Sequence, residues 1–292
     1  MHIFVFGSNG QIGSALVSLL EQQTEFTFDA FNRQQCDVTD EQKVRELVLA
    51  RRPDIIINAT AYTAVDKAED EPEKAFLVNE KGALCLALVS KEVNALLLHI
   101  STDYVFDGES EGEYKESDIE SPCSVYGDSK LAGERAISGV WSKHITLRTA
   151  WVFGEHGQNF VKTMLRLAEN RDELGIVNDQ FGGPTYAGDI AAALVRLAHL
   201  YSKKELDLYG IYHFSGQPFV SWFEFAEEIF NKALEHKVLE AKPVLNKLTS
   251  AQFPTKAKRP KNSRLSLQKI GRDFSISPSN WQKALDNIAL YK

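Results

Sequence analysis

Three glycines at positions 7, 10 and 13 follow an apolar run at 3–6 (IFVF) and open a helical pattern over 11–23. A chain that leaves a buried strand and enters a helix within a few residues must keep side chains out of the turn, and glycine does this. The same turn lets a pyrophosphate approach the backbone and meet the N–H groups of a helix N-terminus. Glycines alone would be weak evidence. Set between strand and helix, the GxxGxxG spacing predicts a dinucleotide-binding α/β unit.

The rest of the first half repeats that rhythm. Strands are expected at 26–31, from Ile55, up to Ser101 and up to Trp151, with helices at 40–51 and 68–94. Alternation of this kind predicts a Rossmann-type, doubly wound parallel sheet. Beyond Trp151 the pattern loosens. Helices are expected at 158–170, 187–203 and 221–235, strand-like pieces at 209–214 and 238–245, and a basic loop at 254–264. The division expected is a nucleotide-binding domain over 1–155, rejoined by part of the later chain, and a smaller α/β substrate domain over 156–292. A cleft between the two is the natural ligand site.

Composition excludes several classes of function. A hydrophobic fraction of 43% supplies a core of normal size, and a net charge of −7 argues against general nucleic-acid binding. Cys36, Cys85 and Cys123 are widely spaced and form no CxxC pair, which fits a reducing cytoplasm and no structural metal. The first ten residues lack a basic leader region, and no apolar stretch approaches the ~20 residues of a membrane span. The seven histidines show no HExxH spacing, and no GxSxG elbow is present.

The second strand bears on the cofactor. An acidic residue at its end would hold a ribose 2′-hydroxyl and repel a 2′-phosphate. The strand ends instead in Phe31, Asn32 and Arg33, with Asp29 inside it. Arg33 therefore points to NADPH, with NADH as the alternative, unless it is simply an exposed arginine.

Tyr126 and Lys130, four apart in a helical pattern, share one helix face. A tyrosine of pKa near ~10 needs help to exchange protons at neutral pH, and a neighbouring ammonium lowers that pKa. In the reducing direction Tyr126 would protonate the carbonyl oxygen that becomes the alcohol. YxxxK alone is common. Thr102, placed 24 residues earlier at a strand end, raises its weight, because ligands of open α/β sheets bind beyond the carboxyl ends of strands. Its hydroxyl can hold the same carbonyl.

These residues carry a resemblance. FGSNGQIG from Phe6, NATAYTAVDKAE from Asn58, STDYVFDG from Ser101, VYGDSKLAGE from Val125, RTAWVFG from Arg148, DQFGGPTYAGDIA from Asp179 and KRPKNSRL from Lys258 together resemble the dTDP-4-dehydrorhamnose reductases. These are extended short-chain dehydrogenases, and the likeness runs nearly end to end. It implies NADPH-dependent reduction of the C4 ketone of dTDP-4-dehydro-β-L-rhamnose in a pathway to surface polysaccharide. By resemblance, Gly10, Gln11 and Ile12 lie at the cofactor phosphates, Asp37 and Val38 near the adenine, and Ala61, Tyr62 and Thr63 toward the nicotinamide. Tyr126 and Lys130 also touch the cofactor. Thr102, Asp103 and Trp151 meet the substrate, and Arg259, in the basic segment with Lys256, Lys258, Lys261 and Arg264, suits its diphosphate.

Two departures stand out. Positions that hold acidic magnesium ligands in dimeric members are Ala15 and Gly188 here, so no such metal site is expected, and the chain is expected to be a monomer or a homodimer. The usual NAAA run reads Asn58-Ala59-Thr60-Ala61. Competing readings are a non-catalytic regulatory subunit, resembling the animal methionine adenosyltransferase subunit, and an enzyme acting on another nucleotide 4-keto-sugar.

Overall fold

The computed structural model describes residues 1–292. In the first half the elements are β1 (His2–Phe6), α1 (Gln11–Leu20), β2 (Thr27–Phe31), α2 (Glu41–Arg51), β3 (Ile55–Asn58), α3 (Val65–Ala68), α4 (Pro72–Phe76), α5 (Gly82–Val93), β4 (Leu96–Thr102), α6 (Val125–Val140) and β5 (His144–Thr149). There follow β6 (Val152–Phe153), α7 (Phe160–Ala168), β7 (Glu173–Val177), β8 (Phe181–Gly182), β9 (Thr185–Tyr186), α8 (Ala187–Ser202) and β10 (Gly210–His213). The chain ends with β11 (Val220–Ser221), α9 (Trp222–Glu235), β12 (Val244–Leu248), β13 (Asn262–Ser263), α10 (Gln268–Phe274) and α11 (Trp281–Leu285).

Six parallel strands form the main sheet in the order β10-β5-β4-β3-β1-β2. Successive side chains of a strand face opposite ways, so a strand covered on both faces must be apolar throughout. Ile3, Val5, Ile55, Ile57, Leu96 and Leu98 face one core with Leu16 of α1 and Leu194 of α8. Phe4, Phe6, Ile56 and Leu97 face the other, with Val44 of α2 and Leu86 of α5. A third core, built around Phe153, Leu165, Phe225, Ile229 and Trp281, holds α7, α9 and α11 together in the second half.

From β1 the chain winds one way to β2 and then returns past β1 to β3. The crevice above β1 and β3 is therefore the topological switch point, where open α/β sheets bind ligands. Both the glycine turn after β1 and the Ala59–Ala61 loop after β3 open onto it.

Three expectations change, and two short helices were not anticipated. The helix expected over 68–94 is broken: α3 stops at Ala68, Pro72 starts α4, and a π-helical turn at Leu77–Lys81 leads into α5. Proline disfavours a helical residue before it, which accounts for the first break. The strand expected to reach Trp151 ends at Thr149, and Trp151 takes a left-handed φ of 48°. The strand expected over 238–245 begins at Val244, after Pro243, and pairs with β7, which was not anticipated. β7 buries just Leu174 and Ile176, too few for a clear alternation. Finally, α10 and α11 are too short for helical periodicity to announce them.

Candidate active site

The glycine turn is built by close approach. A methyl on Gly13 would sit 2.0 Å from the Gly7 carbonyl oxygen, and Gly7 itself has a φ of +90°. Helix α1 has Gly10 as its N-cap, which offers no side-chain cap. Its first N–H groups have no intrahelical partner and are free for an anion. A cavity of about 400 Å³ opens here, lined by Gly7, Gly10, Arg33, Asp37, Val38, Ala61 and Tyr62 among others. Of the other residues expected at the cofactor, Gln11, Ile12, Gly13, Thr63, Tyr126 and Lys130 are not on its wall. The Gln11 carboxamide oxygen instead accepts a bond from Asn159 at 3.1 Å, tying α1 to the N-terminus of α7.

At the far end, Asp29 is held by His2 and Arg51 and does not reach the cavity. Arg33 is 80% exposed and donates Nε to Asp37 at 2.9 Å, which leaves both terminal nitrogens of its fork open. Burial works against the Asp37 charge, but bonds from Thr39 and from Arg33 keep its carboxyl below the usual range.

Thr102, Asp103 and Tyr126 meet at the carboxyl end of β4. Ser124 caps α6 through the Gly127 amide, 3.1 Å away. A methyl on Gly127 would lie 2.3 Å from the Tyr104 carbonyl oxygen, so glycine lets α6 approach the turn after β4. This places the Tyr126 ring edge-on to Tyr104 at 5.4 Å. Burial drives the Tyr126 phenol well above its ordinary pKa; the Thr102 hydroxyl pulls it back, while Asp103 and Tyr104 push it further up. The lowering expected from Lys130 is not seen: Lys130 is not among the groups that shift the phenol. Tyr126 is a protonated phenol, ready to donate.

Lys130 is 1% exposed and bonds the Ile100 carbonyl at 2.6 Å. Its pKa is lowered to about 8 by burial, against the opposing charge of Glu134.

Asp103 accepts from Ser263 at 2.5 Å and from the Thr102 hydroxyl at 3.1 Å, yet burial outweighs both bonds and pushes its carboxyl up to about 6. Folding thus raises this pKa. Its stabilising contribution is full below the unfolded value of ~3.9 and is lost as pH rises through about 6. Asp103→Asn is accordingly expected to stabilise the fold by about 2 kcal/mol near pH 8 and hardly at all near pH 4. Urea denaturation at the two pH values checks this, and equal effects at both would contradict it.

The basic segment is not a free loop. Arg259 bonds Asp66 at 2.7 Å and the Tyr104 hydroxyl at 3.2 Å, Lys256 pairs with Asp70, and Lys258 meets Glu109 at 3.3 Å. These pairs tie residues 256–259 to α3, to the turn that follows it and to the segment after β4. Trp151 is half-buried and stacks on Trp222 with centroids 3.6 Å apart. Its left-handed backbone is unusual for a bulky residue, and such strain gathers at functional sites. Ala15 is half-buried against the first core, and a side chain on Gly188 would meet the Tyr186 ring 2.3 Å away. No group of three or more His, Cys, Asp or Glu side chains is placed to hold a metal ion.

Two residues that sequence reasoning passed over support this centre. Asn79, in the π-helical turn and 2% exposed, accepts the Tyr62 N–H at 2.8 Å and donates to the Ser129 hydroxyl at 2.9 Å. It thereby links the cofactor loop to the helix that carries Tyr126. Short π-helical turns are frequent at functional sites, although nothing in the sequence marks one. His99 lies behind Lys130, and its partners come from β3 and α6.

Fold and site together define a dinucleotide-dependent oxidoreductase of the short-chain dehydrogenase type. The family model described as the RmlD substrate binding domain matches residues 1–290, and the chain belongs to that family. It is 50% identical to a dTDP-4-dehydrorhamnose reductase of Aggregatibacter actinomycetemcomitans, over 99% of this chain and 98% of the relative. It is 40% identical to the enzyme of that name from Escherichia coli K12, over 97% and 95% of the two chains. Among solved structures, a dTDP-4-dehydrorhamnose reductase from Bacillus anthracis in complex with NADP is similar with a TM-score of 0.90 and 35% identity, covering 100% and 99%. No helix is long and apolar enough to cross a membrane.

Proposed function

We propose that this chain reduces the C4 ketone of dTDP-4-dehydro-β-L-rhamnose with NADPH, giving dTDP-L-rhamnose. The observation that carries the reading is the placement of Thr102 and Tyr126 at the carboxyl end of β4, with Tyr126 in one apolar cluster with Tyr62, which lines the cavity at the switch point of the sheet. The full-length relatives supply the substrate.

The residues present fit the cofactor: glycines 7 and 13 keep the turn clear, the uncapped end of α1 suits a pyrophosphate, and the Arg33 fork suits a 2′-phosphate. When bound, NADPH supplies the hydride. Asp37 and Val38 hold the adenine end, and Ala61, Tyr62 and Thr63 the nicotinamide side. Lys130 anchors the nicotinamide ribose. Thr102 orients the ketone by its oxygen, and Tyr126 gives that oxygen its phenolic proton as the alcohol forms. Asp103 and Trp151 contact the sugar. Arg259 reaches the diphosphate by exchanging its pair with Asp66, and residues 156–292 mainly form the substrate side of the cleft.

Turnover of the dTDP keto-sugar, set beside a panel of other nucleotide 4-keto-sugars, tests the reading. NADPH consumption confined to another sugar would overturn the substrate assignment. For the cofactor, Arg33→Ala is expected to weaken NADPH binding about 10-fold and leave NADH unchanged, since one charge-assisted contact is lost. Fluorescence titration with both cofactors checks it, and equal losses would contradict a contact with the 2′-phosphate.

A further inference from the structure

Behind Lys130 runs a buried chain of polar groups that the proposed chemistry leaves unused. Lys130 Nζ lies 3.4 Å from His99 Nε2. The other ring nitrogen, His99 Nδ1, lies 3.0 Å from Asn58 Nδ2. Asn58 of β3 and His99 of β4 are direct partners in the sheet register, and each is 1% exposed. Asn58 Oδ1 accepts the Thr60 backbone N–H at 3.0 Å and the Thr60 hydroxyl at 2.6 Å.

These contacts decide where the protons sit. A backbone N–H can only donate, so Asn58 must turn its oxygen toward Thr60. Its amide nitrogen then faces His99 and donates to Nδ1. A neutral imidazole whose Nδ1 accepts carries its proton on Nε2. Burial, reinforced by the Lys130 charge and by His144, holds His99 well below its ordinary pKa, so the neutral form is the relevant one. The Nε2 proton therefore points at Lys130. An ammonium has no lone pair to receive it, whereas a neutral amine has one.

We infer that His99, locked in its Nε2–H tautomer by Asn58 and Thr60, is a positioning residue that favours the neutral amine of Lys130 over the ammonium. Lys130 is thereby set to release and regain a proton within the pH range of turnover. Glu134, one turn along α6, pulls the other way, but its carboxylate is shared with Arg148 of β5. His144, also on β5, is kept neutral chiefly by burial and adds no cation beside His99. Tyr126, one turn earlier on α6, is a neutral phenol. Burial lowers the Lys130 pKa and Glu134 opposes it; the Nε2 proton of His99 acts in the same direction as burial.

The inference deepens the role given to Lys130 above, and its test reads ionisation directly, so it can fail while the reductase reading stands. In wild-type protein, ¹⁵N spectra of the His99 imidazole should show Nε2 protonated and Nδ1 bare. The opposite tautomer would overturn the inference. A ¹³C-lysine titration then follows Lys130, with and without NADPH. Asn58→Asp keeps an acceptor for Thr60 and offers a second to Nδ1–H, so the bare nitrogen turns toward the lysine. His99→Gln can present its carbonyl oxygen there without adding charge. Both are expected to raise the Lys130 pKa by about 1 unit, as gaining a hydrogen-bond acceptor stabilises the charged form. A rise in Asn58→Asp alone is a charge effect and contradicts the inference, as does no rise in either. Asn58→Asp is isosteric, and circular dichroism confirms that both variants are folded before they are titrated.

Discussion

Tyr126→Phe is expected to lower kcat by about 10³-fold, the scale of a lost general acid. That corresponds to roughly 4 kcal/mol of barrier. The substitution removes one hydroxyl and keeps the ring, whose edge-on contact with Tyr104 at 5.4 Å does not involve the oxygen. Packing of α6 should survive, and NADPH affinity should change within a few-fold. The phenol is held in its protonated form by burial and tuned by Thr102. Pre-steady-state kinetics separates the chemical step from product release. A variant retaining more than a tenth of the wild-type chemical rate would remove Tyr126 from the proton-donor role.

The second large effect concerns stability. Arg148 is 0% exposed and Glu134 is 2% exposed, and they are joined by bonds of 3.0 and 2.6 Å, with Glu120 adding one of 2.8 Å. The guanidinium carbon also lies 5.1 Å from the centre of the Phe106 ring. Arg148→Met leaves the Glu134 carboxylate buried without its partner and is expected to cost about 3–5 kcal/mol. In a chain of this size that lowers Tm by roughly 10 °C. The double variant Arg148→Met, Glu134→Leu removes both charges and should recover most of the loss, because the desolvation cost disappears with them. If the double variant unfolds as early as the single one, the loss lies in packing around Phe106, and the electrostatic account fails.

How legible each part was in the sequence follows from where its determinants lie. Strands β1, β3 and β4 are buried on both faces, so each carries an apolar run, IFVF, III and LLL. The turn at Gly7–Gly13 is equally plain, since its requirement falls on three nearby residues. Thr102 and Tyr126 were pointed to by strand-end position and helical spacing, and the fold brings them together through the approach of α6 at Gly127. Other features arise from pairings that no local pattern encodes. The carboxylates that hold Lys256 and Arg259 lie 186 and 193 residues away in the chain. His99 looks like one more residue of a buried strand until Asn58 and Lys130 arrive from neighbouring elements. The helical stretch expected over 68–94 was broken by Pro72, which the sequence displays, and by a π-helical turn, which depends on local geometry more than on periodicity.

The central claim is that hydride passes from NADPH to C4 of the dTDP-linked keto-sugar, with Tyr126 supplying the proton. NADPH carrying deuterium at both positions of the nicotinamide C4, incubated with wild-type enzyme and dTDP-4-dehydrorhamnose, tests it most directly. The account predicts dTDP-L-rhamnose bearing one deuterium at sugar C4, formed rapidly by the wild type and about 10³-fold more slowly by Tyr126→Phe. Folded wild type that binds NADPH yet transfers no deuterium to that carbon would contradict it.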